Sequence, residues 1–194
     1  MSWWLERHKK DKFVKKRNEM NVVSRAYFKI QEINQRFNLI FPDIRILELG
    51  AAPGGWTQYF IQKTKNIVAI DIINSFKVKG VQFINGSIFD DSIFEQLEEF
   101  DMIVSDMAPN FSGNKLVDNG KMYELCLRCL ELVKKLLKNK GTLVLKLIQS
   151  EECNEIIRLC KLYFKKSYVF KPMSSRAESA EQYLICLEYT KIHF

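Results

Sequence analysis

The sequence predicts an α/β fold: a mostly parallel seven-stranded sheet with helices on both faces and an antiparallel last strand. Three observations carry this reading. Short β-rich runs alternate along the chain with stretches of helical periodicity. Most of the runs are apolar on both faces, as in strands covered by helices on either side. Only a loop, 172–182, separates the final two runs. A parallel crossover takes a dozen or more residues, commonly a helix, so the last strand is expected to run antiparallel.

The elements follow in order. A helix is expected at about 24–37, on the apolar spacing around SRAYFKIQEI. RILELG (45–50) reads as the first strand and enters a Gly-rich turn, then a helix at 55–64. NIVAID (66–71) and VQFI (81–84) are the second and third strands, with Asp71 closing the second. A helix at 91–98 leads to the strand FDMIVSD (100–106), a long helix at 119–139 and the strand GTLVLKLI (141–148). A helix at 151–164 and strands at SYVFK (167–171) and YLICLEY (183–189) complete the pattern.

A length of 194 residues suits one domain, read as 24–194 behind a basic N-terminal arm, 1–23. Hydrophobic residues at 47% and charged residues at 27% exclude global disorder. No run nears the roughly 18 apolar residues that span a bilayer. Met1–Asn21 is charged and lacks the apolar stretch of a secretory signal; Glu6, Asp11 and scarce serine count against a mitochondrial presequence. The five cysteines are read as free packing thiols in an intracellular, reducing compartment. Cys126 and Cys129 lie within a helical run, and His8 and His193 are the only histidines, so no metal is expected.

The net charge is +7, of which +6 lies in residues 1–29, with nine Lys and Arg against three Asp and Glu. A basic segment ahead of a nearly neutral domain is the footprint of a polyanion binder. Trp3, Trp4 and Phe13 lie among these charges, where they could stack on bases or fold back on the core.

In open α/β sheets, ligands bind at the carboxyl ends of the strands. That rule points to Gly50–Trp56, Asp71, Asn85–Ser87, Asp106–Asn110 and Lys146–Ser150. Gly50, Ala51, Ala52, Pro53, Gly54 and Gly55 are small or turn-forming residues that let a ligand approach the backbone ahead of a helix N-terminus. Their G-x-x-x-G-G spacing is not that of a dinucleotide fold, and no G-K-[ST] follows, which removes a P-loop. Asp71, 21 residues after Gly50, is placed to accept ribose hydroxyls. A nucleoside without a pyrophosphate fits this set, and S-adenosylmethionine is such a ligand. On the acceptor side stand Asp106 at the end of the fourth strand and Lys146 inside an apolar strand. Lys29 follows Arg25 by one helical turn, and Glu181 precedes the last strand. Each of these four also has a plain structural explanation: turn former, edge lysine, solvated helix residue and surface charge.

WWLERHKKDKFVKK, SRAYFKIQEI, LELGAAPGGWTQYF, VSDMAPNFSG, LVLKLIQ and SSRAESAEQY stand in an order and at spacings that resemble the FtsJ-type RNA ribose 2'-O-methyltransferases. The likeness is strongest to the large-subunit ribosomal RNA uridine enzymes and covers nearly the whole chain. The resemblance implies a Rossmann-like fold that uses S-adenosylmethionine. It implies a catalytic tetrad of Lys29, Asp106, Lys146 and Glu181, with Glu181 preferred to Glu178 because it stands two residues before the Tyr. It carries cofactor contacts over to Gly50, Gly54, Trp56, Asp71 and Asp106. One departure concerns the adenine side: the family often has Gly-Asp after the third strand, where this chain has Gly86-Ser87. Ser87 can donate or accept a hydrogen bond there and is kept as a cofactor-side candidate; whether it replaces that carboxylate, or Asp90 or Asp91 reaches the adenine, stays open at this point.

The expected reaction is an in-line displacement at the methyl carbon by a ribose 2'-oxygen, which needs no metal because the leaving group is cationic sulfur. Lys146 is expected to take the hydroxyl proton with its pKa depressed by Lys29, while Asp106 orients Lys146 and Glu181 holds Lys29 or the ribose. The expected partner is RNA, ribosomal RNA by resemblance, either free or within a ribosomal particle, with no membrane and a monomeric chain. A tRNA ribose methyltransferase and a non-catalytic RNA-binding module stay open as alternatives; a nicotinamide enzyme is disfavoured by the glycine spacing.

Overall fold

The computed structural model describes residues 19–76, 78–176 and 178–191. Among these run α1 (Ala26–Phe37), β1 (Ile46–Leu49), α2 (Gly55–Phe60), β2 (Ile67–Asp71), β3 (Gln82–Asn85), a 3-10 turn (Asp91–Phe94) and β4 (Phe100–Ser105). They continue with α3 (Lys115–Leu136), β5 (Leu137–Ile148), α4 (Glu151–Tyr163), β6 (Phe164–Phe170) and β7 (Glu181–Tyr189). The seven strands form one sheet in the order β3-β2-β1-β4-β5-β7-β6. The first five are parallel, and β7 runs antiparallel to both β5 and β6. The expected antiparallel last strand is therefore present, inserted between its two neighbours. The chain leaves β1 toward β2 and β3 on one side and resumes with β4 on the other. That reversal opens a crevice at the carboxyl ends of β1 and β4.

Alternation along the strands divides the core in two. Leu47, Leu49, Ile103, Leu143, Leu145 and Leu184 pack toward α3 and α4. Ile46, Met102, Val104, Val144, Tyr183 and Ile185 pack toward α1 and α2. All five cysteines are free and buried in the α3–α4 layer. Burial pushes the Cys129 thiol up to about 12, so it behaves as an inert packing group. Among the described residues no helix is long and apolar enough to cross a membrane.

Several boundaries differ from expectation, the starts of β5 at Leu137 and of β6 at Phe164 among them. The stretch 91–98 forms one 3-10 turn rather than a helix. Its apolar residues are few, and Glu95, Glu98 and Glu99 would crowd the negative end of a helix dipole. α2 ends at Phe60 rather than near 64. α3 begins at Lys115, four residues early, because the Asn114 side chain accepts from the N–H groups of Leu116 and Val117. Of the proposed arm 1–23, residues 1–18 lie outside the described residues. Val22 is buried, and Val23 N donates to Gln58 Oε1 of α2 at 2.8 Å.

Candidate active site

The turn after β1 is built for close approach. Gly50 has φ 76°, and a Cβ there would lie 2.3 Å from Met107 Cγ, so a side chain is excluded on both counts. A Cβ on Gly55 would lie 2.1 Å from Ser24 Oγ, which lets α2 start against the chain leading into α1. Asp71 locks this turn: its Oδ2 accepts from Ala52 N and its Oδ1 from Ile73 N, both at 2.8 Å. Each oxygen keeps a second lone pair for a ligand hydroxyl.

A cleft of about 370 Å³ opens over these strand ends, within the size range of small-molecule sites. Gly50, Ala52, Asp71, Ser87 and Asp106 line it, together with the exposed apolar side chains of Ile72, Ile73 and Phe89. Ala51, Pro53, Gly54, Gly55 and Trp56 do not line it; they form the rest of the turn and the start of α2. Trp56 is buried under Tyr183, with ring centroids 5.6 Å apart, and its Nε1 has no hydrogen-bond partner among the described residues. Asp90 bonds Ser92 and Asp91 pairs with Arg128, so neither turns to the cleft. A carboxylate at mid-cleft, an apolar lip and Asp106 at the far side match a ribose, a flat ring and a cation in one ligand. The residues present therefore fit S-adenosylmethionine.

Beside this cleft, strand register gathers the acceptor-side residues. Lys146 on β5 faces Tyr183 on β7, and Ile148 faces Glu181, so Glu181 lies diagonally across from Lys146. Ser105 of β4 pairs with Leu145, which puts Asp106 next to Lys146. Val104–Asp106, Val144–Lys146 and Glu181–Tyr183–Ile185 alternate onto the same face, beneath α1, from which Lys29 descends. Lys29 Nζ meets Glu181 at 2.7 and 2.9 Å. Lys146 Nζ stands 3.3 Å from Glu181 Oε2 and 3.2 Å from Asp106 Oδ1. All four sequence-predicted catalytic candidates thus converge in one chain, Lys29–Glu181–Lys146–Asp106. Glu178 is exposed on the loop before β7.

The electrostatics correct one expectation. Burial alone would lower the Lys146 pKa, but the Asp106 and Glu181 charges outweigh it, and the pKa is raised. Lys146 is therefore an ammonium in this state, because it faces two carboxylates. For Glu181, burial would raise the pKa, yet Lys29 and Lys146 bring it down to about 2.

Tyr183 and Ser175 were not among the sequence candidates. Tyr183 is fully buried and its hydroxyl donates to Asp106 Oδ1 at 2.6 Å. Burial, then the Asp106 and Glu181 charges, push that hydroxyl well above its usual pKa, so it stays a donor. Ser175 Oγ donates to Glu181 Oε1 at 2.8 Å. Strand alternation from Glu181 could have found Tyr183; nothing local marks Ser175.

Comparison with known proteins agrees with this geometry. The family model described as FtsJ-like methyltransferase matches residues 22–189. The ribosomal RNA large subunit methyltransferase E of Francisella tularensis subsp. novicida is 36% identical over 195 aligned residues, covering 96% of this chain and 95% of that protein. The crystal structure of a ribosomal RNA methyltransferase from Plasmodium falciparum, 27% identical, superposes with a TM-score of 0.76 over 87% of this chain and 99% of its own. A methyltransferase from Streptococcus mutans, solved with S-adenosylhomocysteine, shares the fold alone: 12% identity and a TM-score of 0.55 over 78% of this chain and 90% of its own.

Proposed function

The chain belongs to the FtsJ-like methyltransferase family, and from that premise we propose that it transfers a methyl group from S-adenosylmethionine to a ribose 2'-hydroxyl of RNA, a uridine in large-subunit ribosomal RNA. The observation that carries the reading is the convergence of Lys29, Glu181, Lys146 and Asp106 on one side of a nucleoside-sized cleft. When bound, S-adenosylmethionine supplies an electrophilic methyl carbon on a sulfonium and leaves as S-adenosylhomocysteine.

The chain's own residues do the rest. Asp71 and Ser87 would hold the nucleoside half of the cofactor, and Asp106 would hold its cationic end. Lys146, charged at rest, fixes the acceptor oxygen by donating to it. It takes the hydroxyl proton in the step itself only after releasing its own to solvent. Turnover is therefore expected to rise with pH from neutral into the alkaline range, following the small fraction of neutral Lys146. A depressed amine would give a plateau instead, which a pH–rate profile distinguishes. Glu181 holds Lys29 in place, and only RNA offers the 2'-hydroxyl that this arrangement addresses.

The large-subunit RNA substrate is supported by the names of the related proteins and by the near-complete coverage of both chains. The basic residues of 1–29 suit phosphate contacts, so RNA binding is expected to weaken steeply with salt. The cysteine thiols suit a reducing compartment. The deciding experiment is labelled-methyl transfer to purified large-subunit rRNA, assembled ribosomal particles and tRNA. Lys146→Ala should keep cofactor affinity and lose about 10²–10⁴-fold in turnover. Transfer to tRNA alone would move the substrate, and full activity of a folded Lys146→Ala would remove the base assignment.

A further inference from the structure

The loop between β6 and β7 carries a second set of connections to α1. Arg25, Lys29 and Glu32 follow one another at spacings of four and three and share a helix face. Lys29 reaches Glu181. Glu32 reaches farther along the loop: its Oε2 accepts from Met173 N at 2.6 Å and its Oε1 from Ser174 N at 3.0 Å. Arg25 Nη2 donates to Ser174 O. Both backbone polar groups of Ser174 are thus satisfied by α1, across some 140 residues of sequence. The next residue, Ser175, gives its hydroxyl to Glu181.

We propose that Glu32 is a positioning residue for methyl transfer: by gripping two consecutive N–H groups of the loop, it sets Ser175, and through Ser175 the orientation of Glu181 between the two lysines. The inference rests on the methyl-transfer reading above. Its physical content is a division of labour on one helix. Lys29 supplies a charge to the cluster, and Glu32, one turn on, fixes the backbone that carries the other hydrogen bond to the same carboxylate. A two-oxygen acceptor is required, because the two donors are adjacent on the chain and point the same way. A glutamine offers one acceptor and turns an NH₂ toward the second N–H, so Glu32→Gln releases one side of the grip with little change in volume.

Glu32 touches neither the cleft nor the amines, so its removal should act on turnover and leave cofactor binding alone. Glu32→Gln is expected to lower kcat for labelled-methyl transfer to ribosomal particles roughly tenfold or more, as small misplacements in an active site do. The KM for S-adenosylmethionine and the calorimetric Kd for S-adenosylhomocysteine should stay within about twofold. Glu32→Asp, which keeps both oxygens on a shorter stem, should lose less, and again in kcat; it carries the test if Glu32→Gln melts below the assay temperature. Because Glu32 acts through Ser175, the double variant Glu32→Gln/Ser175→Ala should be no slower than the slower single variant. The proposal is overturned by unchanged kcat in Glu32→Gln, by a loss confined to cofactor affinity, or by a double variant whose loss is the product of the singles. Wild-type protein that transfers no label to any RNA would overturn the methyl-transfer reading and this inference with it. Active wild type with an unaffected Glu32→Gln would overturn this inference alone.

Discussion

Glu48 and Glu181 are both buried on the α1–α2 face of the sheet, one on β1 and one on β7, yet their protonation states are opposite. Burial pushes Glu48 up to about 8, against hydrogen bonds from Thr57 alone: its Oγ1 donates to Glu48 Oε2 at 2.5 Å and its backbone N–H also donates, while the nearby Asp106 and Asp71 charges push the pKa further. Glu181 is buried almost as deeply, but two ammonium groups bring it down to about 2. The contrast teaches that depth is not what makes a charged centre in this protein. One end of the face has a carboxyl group that packs as a neutral acid, and the other has a salt-bridged cluster whose charges compensate one another. Among the described residues of this face, the fixed charges gather at the β4–β5–β7 end.

Removing Glu181 breaks the comparison most severely. Glu181→Ala leaves Lys29 and Lys146 facing each other without their shared anion, and unpairing a buried charge costs about 3–5 kcal/mol. Urea unfolding at neutral pH should show that loss, and methyl transfer should fail with it. The cluster's contribution is also lost in acid. A carboxyl with a depressed folded pKa stabilises fully above its ordinary value of 4.5, and that contribution disappears as pH falls from there toward about 2.

Glu48 should behave in the reverse sense and by a smaller amount. Its folded pKa is raised, so its favourable contribution is complete below 4.5 and is lost as pH rises through about 8. Glu48→Gln removes the group that would have to ionise. Stability measured across pH 5–9 should show the variant gaining on wild type as pH rises, by on the order of 2–3 kcal/mol near neutrality. A variant that loses stability at every pH would show that Glu48 is held by more than the hydroxyl and N–H of Thr57.

Much of this arrangement was legible before any coordinates. Apolar runs and their spacing announced the strands, and the missing helix in 172–182 announced the antiparallel β7. Gly50 and Asp71 declared the cofactor end through their positions at strand termini, and Lys29, Asp106, Lys146 and Glu181 came from a resemblance spread over six segments. What could not be read was anything decided across the sheet. Lys146 looked like an amine whose pKa Lys29 would depress; the sign reversed because register sets it within 3.3 Å of two carboxylates. The backbone grip of Glu32 on Met173 and Ser174 joins residues more than 140 apart and has no local signature. The start of α3 was readable but missed, since Asn114 with Asp118 in the first turn is a capping signal.

The smallest expected effect sharpens the comparison at Asp106, which, like Glu181, has both a hydroxyl and an ammonium partner. It takes the Tyr183 hydroxyl at 2.6 Å and the Lys146 ammonium at 3.2 Å on the same oxygen. If the hydroxyl alone governed this acid, then Tyr183→Phe would disable Asp106. The ammonium argues otherwise, because Lys146 stays within reach when the hydroxyl is gone. A hydrogen bond to a charged group contributes about 1.5–3 kcal/mol when nothing replaces it. With Lys146 still bonded, the loss should be near or below the lower limit, which is roughly tenfold or less in kcat. Phe fills the same space against Trp56, whose ring lies 5.6 Å from that of Tyr183, so the fold should hold. Single-turnover methyl transfer by Tyr183→Phe beside Lys146→Ala measures the two partners on one scale. A Tyr183→Phe defect as deep as that of Lys146→Ala would mean the hydroxyl, and not the ammonium, keeps Asp106 in register.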